Sequence, residues 1–330
     1  LDRAEFLLRD LGALDAEGAI TGLGRRMLNF PLHPRYARML LAAEELGCVR
    51  AASLIAAITQ TRSMLLKVDK RIEEERMEIF GGGTSDFLVL MRVFEWARSR
   101  DFRMNECRTL GIHSDSARQV GKLFDQFLDI AHAEALLIED VAPTDEAVAR
   151  CVLAGFADQV AVRKNPGTLV CDIVRGRRGL LARQSVADGS RFLVAAEIAE
   201  IEGRDGDARV LLSLATGIEE VWLREMFPAD FTDRAEYFFD KSQNRVVVRR
   251  ERVFRDLVLE NRDRDAEPGE AGPDRDGPPA FDRIAENVDQ DRERCRHDQR
   301  AADAHECTGE DQLVGRRRHC GSGRAQGEQH

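Results

Sequence analysis

The sequence predicts an α+β protein made of several domains and followed by a disordered tail. Three observations predict this fold class. Hydrophobic residues recur with a helical period up to about residue 155, and short apolar runs separated by turn residues follow up to about residue 260. Beyond that point only 16 of the last 70 residues are hydrophobic, whereas the 330-residue chain as a whole is 43% hydrophobic. The first part therefore has enough apolar surface to fold, and the tail is predicted not to.

Residues 1–32 have the pattern of the end of a winged-helix domain. A short apolar helix ends at Gly12, and Ala13–Ile20 is predicted to form a small hairpin around Gly18. Thr21 is a suitable N-cap for the helix that follows. This succession of helix, hairpin and helix fits either a partial winged helix or another small α+β corner.

Residues 33–155 are predicted to form a helical bundle. Pro34 suits the first turn of a helix, and three glycines at 81–83 separate a charged helix from an apolar one. Asp86 is the predicted N-cap of that apolar helix, and Ser114 is the predicted N-cap of another. The apolar residues of these helices are spaced three and four apart, which indicates a helical core.

Residues 156–260 are predicted to form an antiparallel β-barrel. Seven short strands are separated by Asn-Pro-Gly, Ala-Asp-Gly and similar turns, with one helix at Ile218–Met226 among them. This arrangement is typical of small barrels, among them the oligonucleotide-binding (OB) barrel. Residues 261–330 are predicted to be a disordered tail.

Charge and composition exclude several classes of protein. The net charge is −10, and the first 260 residues contain 37 Lys and Arg against 42 Asp and Glu, which excludes a uniformly basic nucleic-acid coat. No apolar run approaches the length of a membrane span and no secretory signal is present, so we expect no membrane partner. The seven cysteines are scattered without a CxxC pair, which indicates a reducing cytoplasm and no metal site.

Motifs for nucleotide hydrolysis are missing from the sequence. Gly121-Lys122 lacks the earlier glycine of a phosphate-binding loop and falls within a predicted helix. Asp145-Glu146 resembles part of an Asp-Glu box, but it follows Pro143-Thr144 at a predicted helix start, where acidic residues favour the positive end of the helix dipole. We therefore predict no catalytic residue and no cofactor in this chain.

Two clusters of cations in the predicted barrel are candidates for binding nucleic acid. Cations near the loops of a barrel are able to follow a phosphate backbone, although a solvated strand face is the alternative interpretation. The candidates are Arg163, Lys164, Arg175, Arg177 and Arg178 in the first cluster, and Arg249 and Arg250 in the second.

Several motifs in one order resemble the helicase-associated region of DEAH-box helicases. The first runs from LRDLGALD at 8–15 through GAITGLGRRM at 18–27 to FPLHPRYARML at 30–40. VLAGFADQVA at 152–161 and EEVWLREMFP at 219–228 resemble elements of the bacterial HrpB-like helicases. The resemblance covers roughly the first 260 residues.

The resemblance implies an order of domains: two RecA-like motor domains, a winged helix, a helical ratchet domain and then a barrel. The bundle at 33–155 would be the ratchet domain, and 156–260 would be the HrpB-like C-terminal barrel. The motors, for which ATP and Mg²⁺ are implied, are absent from this sequence. We therefore expect a fragment whose motor lies upstream, and no residue here inherits the ATP chemistry.

We predict that the chain is the C-terminal accessory region of an ATP-dependent RNA helicase and is inactive alone. It would bind single-stranded RNA or DNA and couple it to the upstream motor domains, with Arg35 and Arg38 at the start of the ratchet helix as further contacts. A helical adaptor that binds protein partners without nucleic acid is the alternative. Because the resemblance stops where apolar residues become scarce, we interpret 261–330 as either an out-of-frame translation or a genuine disordered extension.

Overall fold

The computed structural model describes residues 2–139, 141–165, 167–202, 208–240 and 245–265. The helices in these ranges are α1 (Asp2–Asp10), α2 (Gly22–Leu28), α3 (Pro34–Glu45), α4 (Val49–Thr59), α5 (Lys70–Phe80), α6 (Asp86–Ser99), α7 (Met104–Thr109), α8 (Ser114–Ala133), α9 (Asp145–Phe156) and α10 (Glu220–Met226). The strands are β1 (Val160–Arg163), β2 (Val170–Ile173), β3 (Arg177–Leu181), β4 (Phe192–Glu202), β5 (Ala208–Ile218), β6 (Phe231–Asp240), β7 (Arg245–Phe254) and β8 (Leu257–Asp265). Helices followed by strands confirm the predicted α+β fold class. No described helix is both long and apolar enough to cross a membrane.

The N-terminal unit consists of α1, a minimal hairpin and α2. The hairpin is closed by a bridge between Leu14 and Ile20. Gly12 follows α1 with a φ of +73°, a left-handed conformation that glycine adopts without strain. The Thr21 hydroxyl accepts a hydrogen bond from the Gly24 amide at 2.9 Å, so Thr21 caps α2 as predicted.

Helices α3 to α9 form the bundle, and its core is built from their apolar stripes. The rings of Phe94 on α6 and Phe124 on α8 pack edge to face with centroids 6.0 Å apart, and both rings are fully buried. Helices α3 and α9 approach closely at Gly155, where a Cβ atom would lie 2.6 Å from Met39 Cγ. A glycine is therefore required at this crossing.

Two predicted N-caps are displaced by one residue. Ser85 caps α6, because its hydroxyl accepts a hydrogen bond from the Phe87 amide, and His113 caps α8 through its Nδ1 atom. Asp86 and Ser114 are the first residues of their helices instead. The Asp86 carboxylate does not cap the helix and instead accepts hydrogen bonds from the barrel.

Strands β1 to β5 form a closed barrel in the order β1-β2-β3-β5-β4, with β1 pairing back to β4. All pairings are antiparallel except that of β3 with β5, which is parallel. The prediction of a wholly antiparallel barrel of seven strands was therefore wrong in detail. Ala161, Cys171, Leu193, Leu212 and Ala215 belong to its fully buried core.

Strands β6, β7 and β8 form a separate three-stranded sheet with β7 in the centre. Sequence analysis included β6 and β7 among the seven predicted strands of the barrel but missed β8. That strand extends to Asp265, so residues 261–265 are part of a sheet and not of a disordered tail. The rest of the predicted tail, 266–330, lies outside the described residues.

The chain divides into two compact units. Among the described residues, the first contains those of 2–233 and 252–260, and the second contains 234–240, 245–251 and 261–265. Helices α1 and α2 with their hairpin, the bundle and the barrel all belong to the first compact unit.

The bundle is joined to the barrel at the start of α6. Residues 84–86 lie beside the end of β5, where Ser85 forms a bridge with Thr216 and their hydroxyls are 2.8 Å apart. The Asp86 carboxylate accepts three hydrogen bonds: from the Ser185 hydroxyl at 3.0 Å, the Val186 amide at 2.9 Å and the Ala215 amide at 2.8 Å. Burial raises the pKa of Asp86, while these hydrogen bonds act in the opposite direction.

Replacing Asp86 with Ala should destabilise the protein by about 2–4 kcal/mol, because the Ser185 hydroxyl and the amides of Val186 and Ala215 lose their acceptor. Urea unfolding followed by the fluorescence of Trp96 and Trp222 measures this change. Asp129→Ala, at an exposed position on α8, is the matched control. Equal stability of the two variants would show that the carboxylate does not hold the barrel.

Candidate nucleic-acid interface

The Arg35 side chain is engaged in a buried ion pair. Its guanidinium donates to both carboxylate oxygens of Asp158 at 2.5 and 2.7 Å and to the Gly155 carbonyl at 2.9 Å. The two side chains are only 13% and 10% exposed, and the guanidinium lies 5.0 Å from the centre of the Phe156 ring. The predicted contact of Arg35 with nucleic acid stays a prediction, and this geometry disfavours it.

The pKa of the Asp158 carboxyl group is lower than its ordinary value. Burial alone raises the pKa of its carboxyl group, but the hydrogen bonds and the positive charge of Arg35 outweigh burial, so the pKa is lowered. The carboxylate therefore stays ionised and paired near neutral pH. The pair fixes α3 against the segment that leads from α9 into β1.

Arg38 lies one turn further along α3 and is half-buried. Burial lowers the pKa of its guanidinium. Among the described residues it has no hydrogen-bond or ion-pair partner, unlike Arg35. The negative charge of Glu45 acts against burial, in the direction that raises the pKa of Arg38, and the predicted contact of Arg38 with nucleic acid stays a prediction.

Arg178 and Lys164 share the carboxylate of Asp172 on the surface of the barrel. Arg178 Nε lies 2.9 Å from Asp172 Oδ1, and Lys164 Nζ lies 3.4 Å from Oδ2. Their side chains are 63% and 43% exposed, and that of Asp172 is 38% exposed. Arg178 is on β3, Asp172 is opposite it on β2, and Lys164 is in the loop between β1 and β2. We call these three residues the β2–β3 cluster.

The other predicted cations of the barrel hold its loops. Arg163 Nε donates to the Thr168 carbonyl at 3.2 Å, which closes the loop between β1 and β2. Arg177 donates to the carbonyls of Val174 and Asp158, and burial lowers the pKa of its guanidinium. These two arginines are therefore tied to the backbone of the barrel.

Arg175 occupies the turn between β2 and β3 with a φ of +71°. Its guanidinium forms an ion pair with Asp10 of α1, and its amide donates to Asp256 at 2.8 Å. Arg175 thus links the barrel to the N-terminal unit. The predicted first cluster is consequently split between Arg163 and Arg177, which bind backbone carbonyls, Arg175, which is exposed but paired with Asp10, and the two cations that share Asp172.

Arg249 and Arg250 belong to the second compact unit and are described separately. Arg249 forms two hydrogen bonds of 2.8 Å with the Asp263 carboxylate, and its guanidinium lies 4.9 Å from the centre of the Phe238 ring. The hydrogen bond to Asp263 raises the pKa of Arg249 and lowers that of the carboxyl group. Arg250 follows it on β7 and is exposed.

Sequence analysis missed the acidic partners of these cations. Asp158 was noted only as part of a motif, and its separation of 123 residues from Arg35 leaves no local signal. Asp172 precedes Arg178 by six residues, and the tight β2–β3 turn was the available sign that the two face each other.

The two nucleotide-like motifs do not fit ATP in this structure. Gly121-Lys122 lies within α8, so its backbone amides are not free to surround a phosphate. Asp145-Glu146 forms the first turn of α9 behind the Thr144 cap, and Glu146 is paired with Arg150 at 2.8 Å. We therefore derive no step through ATP or Mg²⁺ for these residues.

Comparisons with known proteins connect this architecture to helicases. Two domain families match: the winged-helix part of the helicase-associated domain (HA2) at residues 4–32, and its ratchet-like part at residues 33–115. The pre-mRNA-splicing factor ATP-dependent RNA helicase prp22 of Schizosaccharomyces pombe is 27% identical over 155 residues, which cover 46% of this chain and 13% of prp22. The crystal structure of the E. coli DExH-box NTPase HrpB has the same fold over 81% of this chain and 27% of that chain, with a TM-score of 0.51 and 19% identity.

A winged helix followed by a ratchet-like bundle defines the class of this molecule as a helicase-associated region. Residues 4–115 match the winged-helix and ratchet-like parts of the helicase-associated domain, which is the region that the resemblance to DEAH-box helicases predicted from the sequence. The chain spans only a small part of the length of these relatives.

Replacing Arg35 with Ala should cost about 3–5 kcal/mol of stability, because the buried Asp158 carboxylate loses its partner. Urea unfolding at neutral pH measures this loss. Arg71→Ala, at an exposed position on α5, is the control and should change stability little. A loss below 1 kcal/mol for Arg35→Ala, comparable to a surface ion pair, would contradict the buried pair.

The contribution of the Arg35–Asp158 pair to the stability of the protein should decrease as the pH falls. The pKa of Asp158 is lowered by folding, so the pair stabilises the protein above the ordinary carboxyl pKa of 3.8 and loses this effect as the pH falls through the native value. Asp158→Asn should therefore show a smaller loss of stability than the wild type between neutral pH and about pH 3. Parallel pH profiles of the two proteins would rule out this linkage.

Proposed function

We propose that this chain is an accessory region of an ATP-dependent RNA helicase that binds single-stranded nucleic acid on its barrel. The order β1-β2-β3-β5-β4, with β3 parallel to β5, supports an OB barrel. Such barrels bind oligonucleotides on the face of their second and third strands and with the neighbouring loops. The β2–β3 cluster lies on those elements.

The observation that carries this proposal is the exposure of Arg178 and Lys164 around one carboxylate. Surface ion pairs contribute about 0–1 kcal/mol, so exchanging Asp172 for a phosphate costs the protein little. Arg183, in the segment after β3, is exposed as well. Together these cations provide a short track for a phosphate backbone.

The chemistry of this face favours the backbone of the ligand over its bases. Residues 160–181, from β1 to the end of β3, include no Phe, Tyr or Trp, so they provide no ring on which a base could stack. Binding should therefore be strongly salt-dependent and weakly dependent on sequence.

In the intact helicase this region would transmit the position of the strand to RecA-like motor domains of the same protein. The name of prp22 describes an ATP-dependent RNA helicase and that of HrpB an NTPase, which supports RNA as the strand and ATP with Mg²⁺ as the needs of the motors. Arg38 on α3 would be a second contact. We expect the protein to act in the cytoplasm.

Binding of fluorescently labelled poly-U, measured by anisotropy at several salt concentrations, tests the proposal. Affinity should fall with salt, and Arg178→Ala should reduce the slope of log K against log salt by about 0.7 for one lost phosphate contact. Asp172→Asn should bind more tightly than the wild type, because it removes the competing negative charge. Arg71→Ala controls for the loss of one surface cation elsewhere.

The opposite responses of the two barrel variants distinguish binding at this face from general damage to the fold. Absence of binding, affinity that does not change with salt, or equal effects of Arg178→Ala and Arg71→Ala would contradict the proposal. The first two results would favour the alternative of a protein adaptor.

A further inference from the structure

A small cleft lies between α6 and α8, on the bundle and outside the barrel. Its volume is about 170 Å³, and its lining combines aromatic rings with cations. The lining residues are Phe94, Arg98, Phe102, Arg118, Gly121, Lys122, Phe124 and Asp125. This volume is several times the roughly 30 Å³ that one water molecule occupies in the liquid, so a small polyatomic ion fits.

The wall of the cleft is shaped by an unusual turn between α6 and α7. Asp101 and Phe102 have consecutive positive φ values of 54° and 51°, a conformation that bulky residues rarely adopt. The turn is held by Arg118, whose Nη2 donates to the Phe102 carbonyl at 3.3 Å. The Phe102 ring packs 6.0 Å from the centre of the Phe94 ring. Backbone strain of this kind concentrates at ligand-binding sites.

The floor of the cleft is open because residue 121 has no side chain. A Cβ atom on Gly121 would lie 3.5 Å from Phe102 Cζ and 3.7 Å from Phe94 Cε2, which is ordinary contact and not a clash. Packing therefore does not require glycine there, although alanine is the better helix former. The glycine instead leaves room beside the rings.

Three of the lining residues are cations and one is an acid, and the acids Asp115 and Glu95 lie beside two of the cations. Arg98, Arg118 and Lys122 face a single lining carboxylate, that of Asp125. Arg118 is paired with Asp115 at 2.9 Å, and Arg98 lies 3.9 Å from Glu95, at the limit of an ion pair. Lys122 is exposed and has no such partner among the described residues.

We propose that this cleft binds a phosphoryl group through Arg98, Arg118 and Lys122. Arginine donates a fork of N–H groups that matches phosphate oxygens, and lysine adds a compact charge. The cleft is too small for a complete nucleotide, since ligand pockets for larger molecules begin at about 300 Å³. The group is therefore a phosphate monoester end or free inorganic phosphate. This site is independent of the proposed function of the barrel.

Equilibrium dialysis of the full chain with radiolabelled inorganic phosphate, at constant ionic strength, tests the site. Lys122→Glu should weaken binding by about fivefold or more, since it reverses one charge beside the anion. Lys67→Glu is the matched control, because it makes the same charge change at an exposed position away from the cleft. Gly121→Ala should also weaken binding while leaving the unfolding midpoint unchanged or higher.

A second measurement distinguishes the source of the phosphoryl group. If a short oligouridylate with a 5′-phosphate binds better than its 5′-hydroxyl form, and Lys122→Glu removes the difference, the site holds the end of a strand. If the two forms bind equally while inorganic phosphate binding depends on Lys122, the site holds the free ion. The proposal is overturned if phosphate does not bind, or if Lys122→Glu and Gly121→Ala bind it like Lys67→Glu.

Discussion

The buried ion pair between Arg35 and Asp158 is the contact on which the arrangement of the bundle and the barrel depends. Removing two charges from water is costly, so the pair is favourable only when its geometry is held closely and its remaining hydrogen bonds are satisfied. Both carboxylate oxygens are bonded, and the same guanidinium reaches the Gly155 carbonyl. The close crossing of α3 and α9 at Gly155 brings these groups together. Helix packing and charge pairing therefore support each other at one point.

The predicted cations look alike in the sequence, but the structure gives them different partners. Arg163 and Arg177 bind backbone carbonyls, and Arg175 is paired across domains with Asp10. Arg178 and Lys164 share an exposed carboxylate that an anionic ligand is able to replace. A cluster that looks uniform in sequence thus contains contacts of different kinds, and exposed ion pairs such as those of Asp172 contribute only about 0–1 kcal/mol to stability.

The fold was largely predictable because its signals are local. Helical periodicity, the Thr21 cap and the turn residues predicted the bundle and the barrel strands. The partner of Arg35 was not predictable, since Asp158 is 123 residues away, and neither was the parallel pairing of β3 with β5. Strand β8 was missed because its second half, ENRDRD at 260–265, is polar and reads as the beginning of the tail. The domain boundaries drawn from the sequence remain predictions.

The contact between α6 and the end of β5 has a consequence for the order of folding during synthesis. Residues 84–86 leave the ribosome well over a hundred residues before Ala215 and Thr216, and domains generally fold from the N-terminus onward as they emerge. We therefore expect the bundle to form before the last barrel strand appears, so that the Asp86 carboxylate is in place to accept from the amides of Val186 and Ala215. In that order the bundle would serve as an intramolecular template and lower the entropic cost of closing a barrel whose strands are distant in sequence.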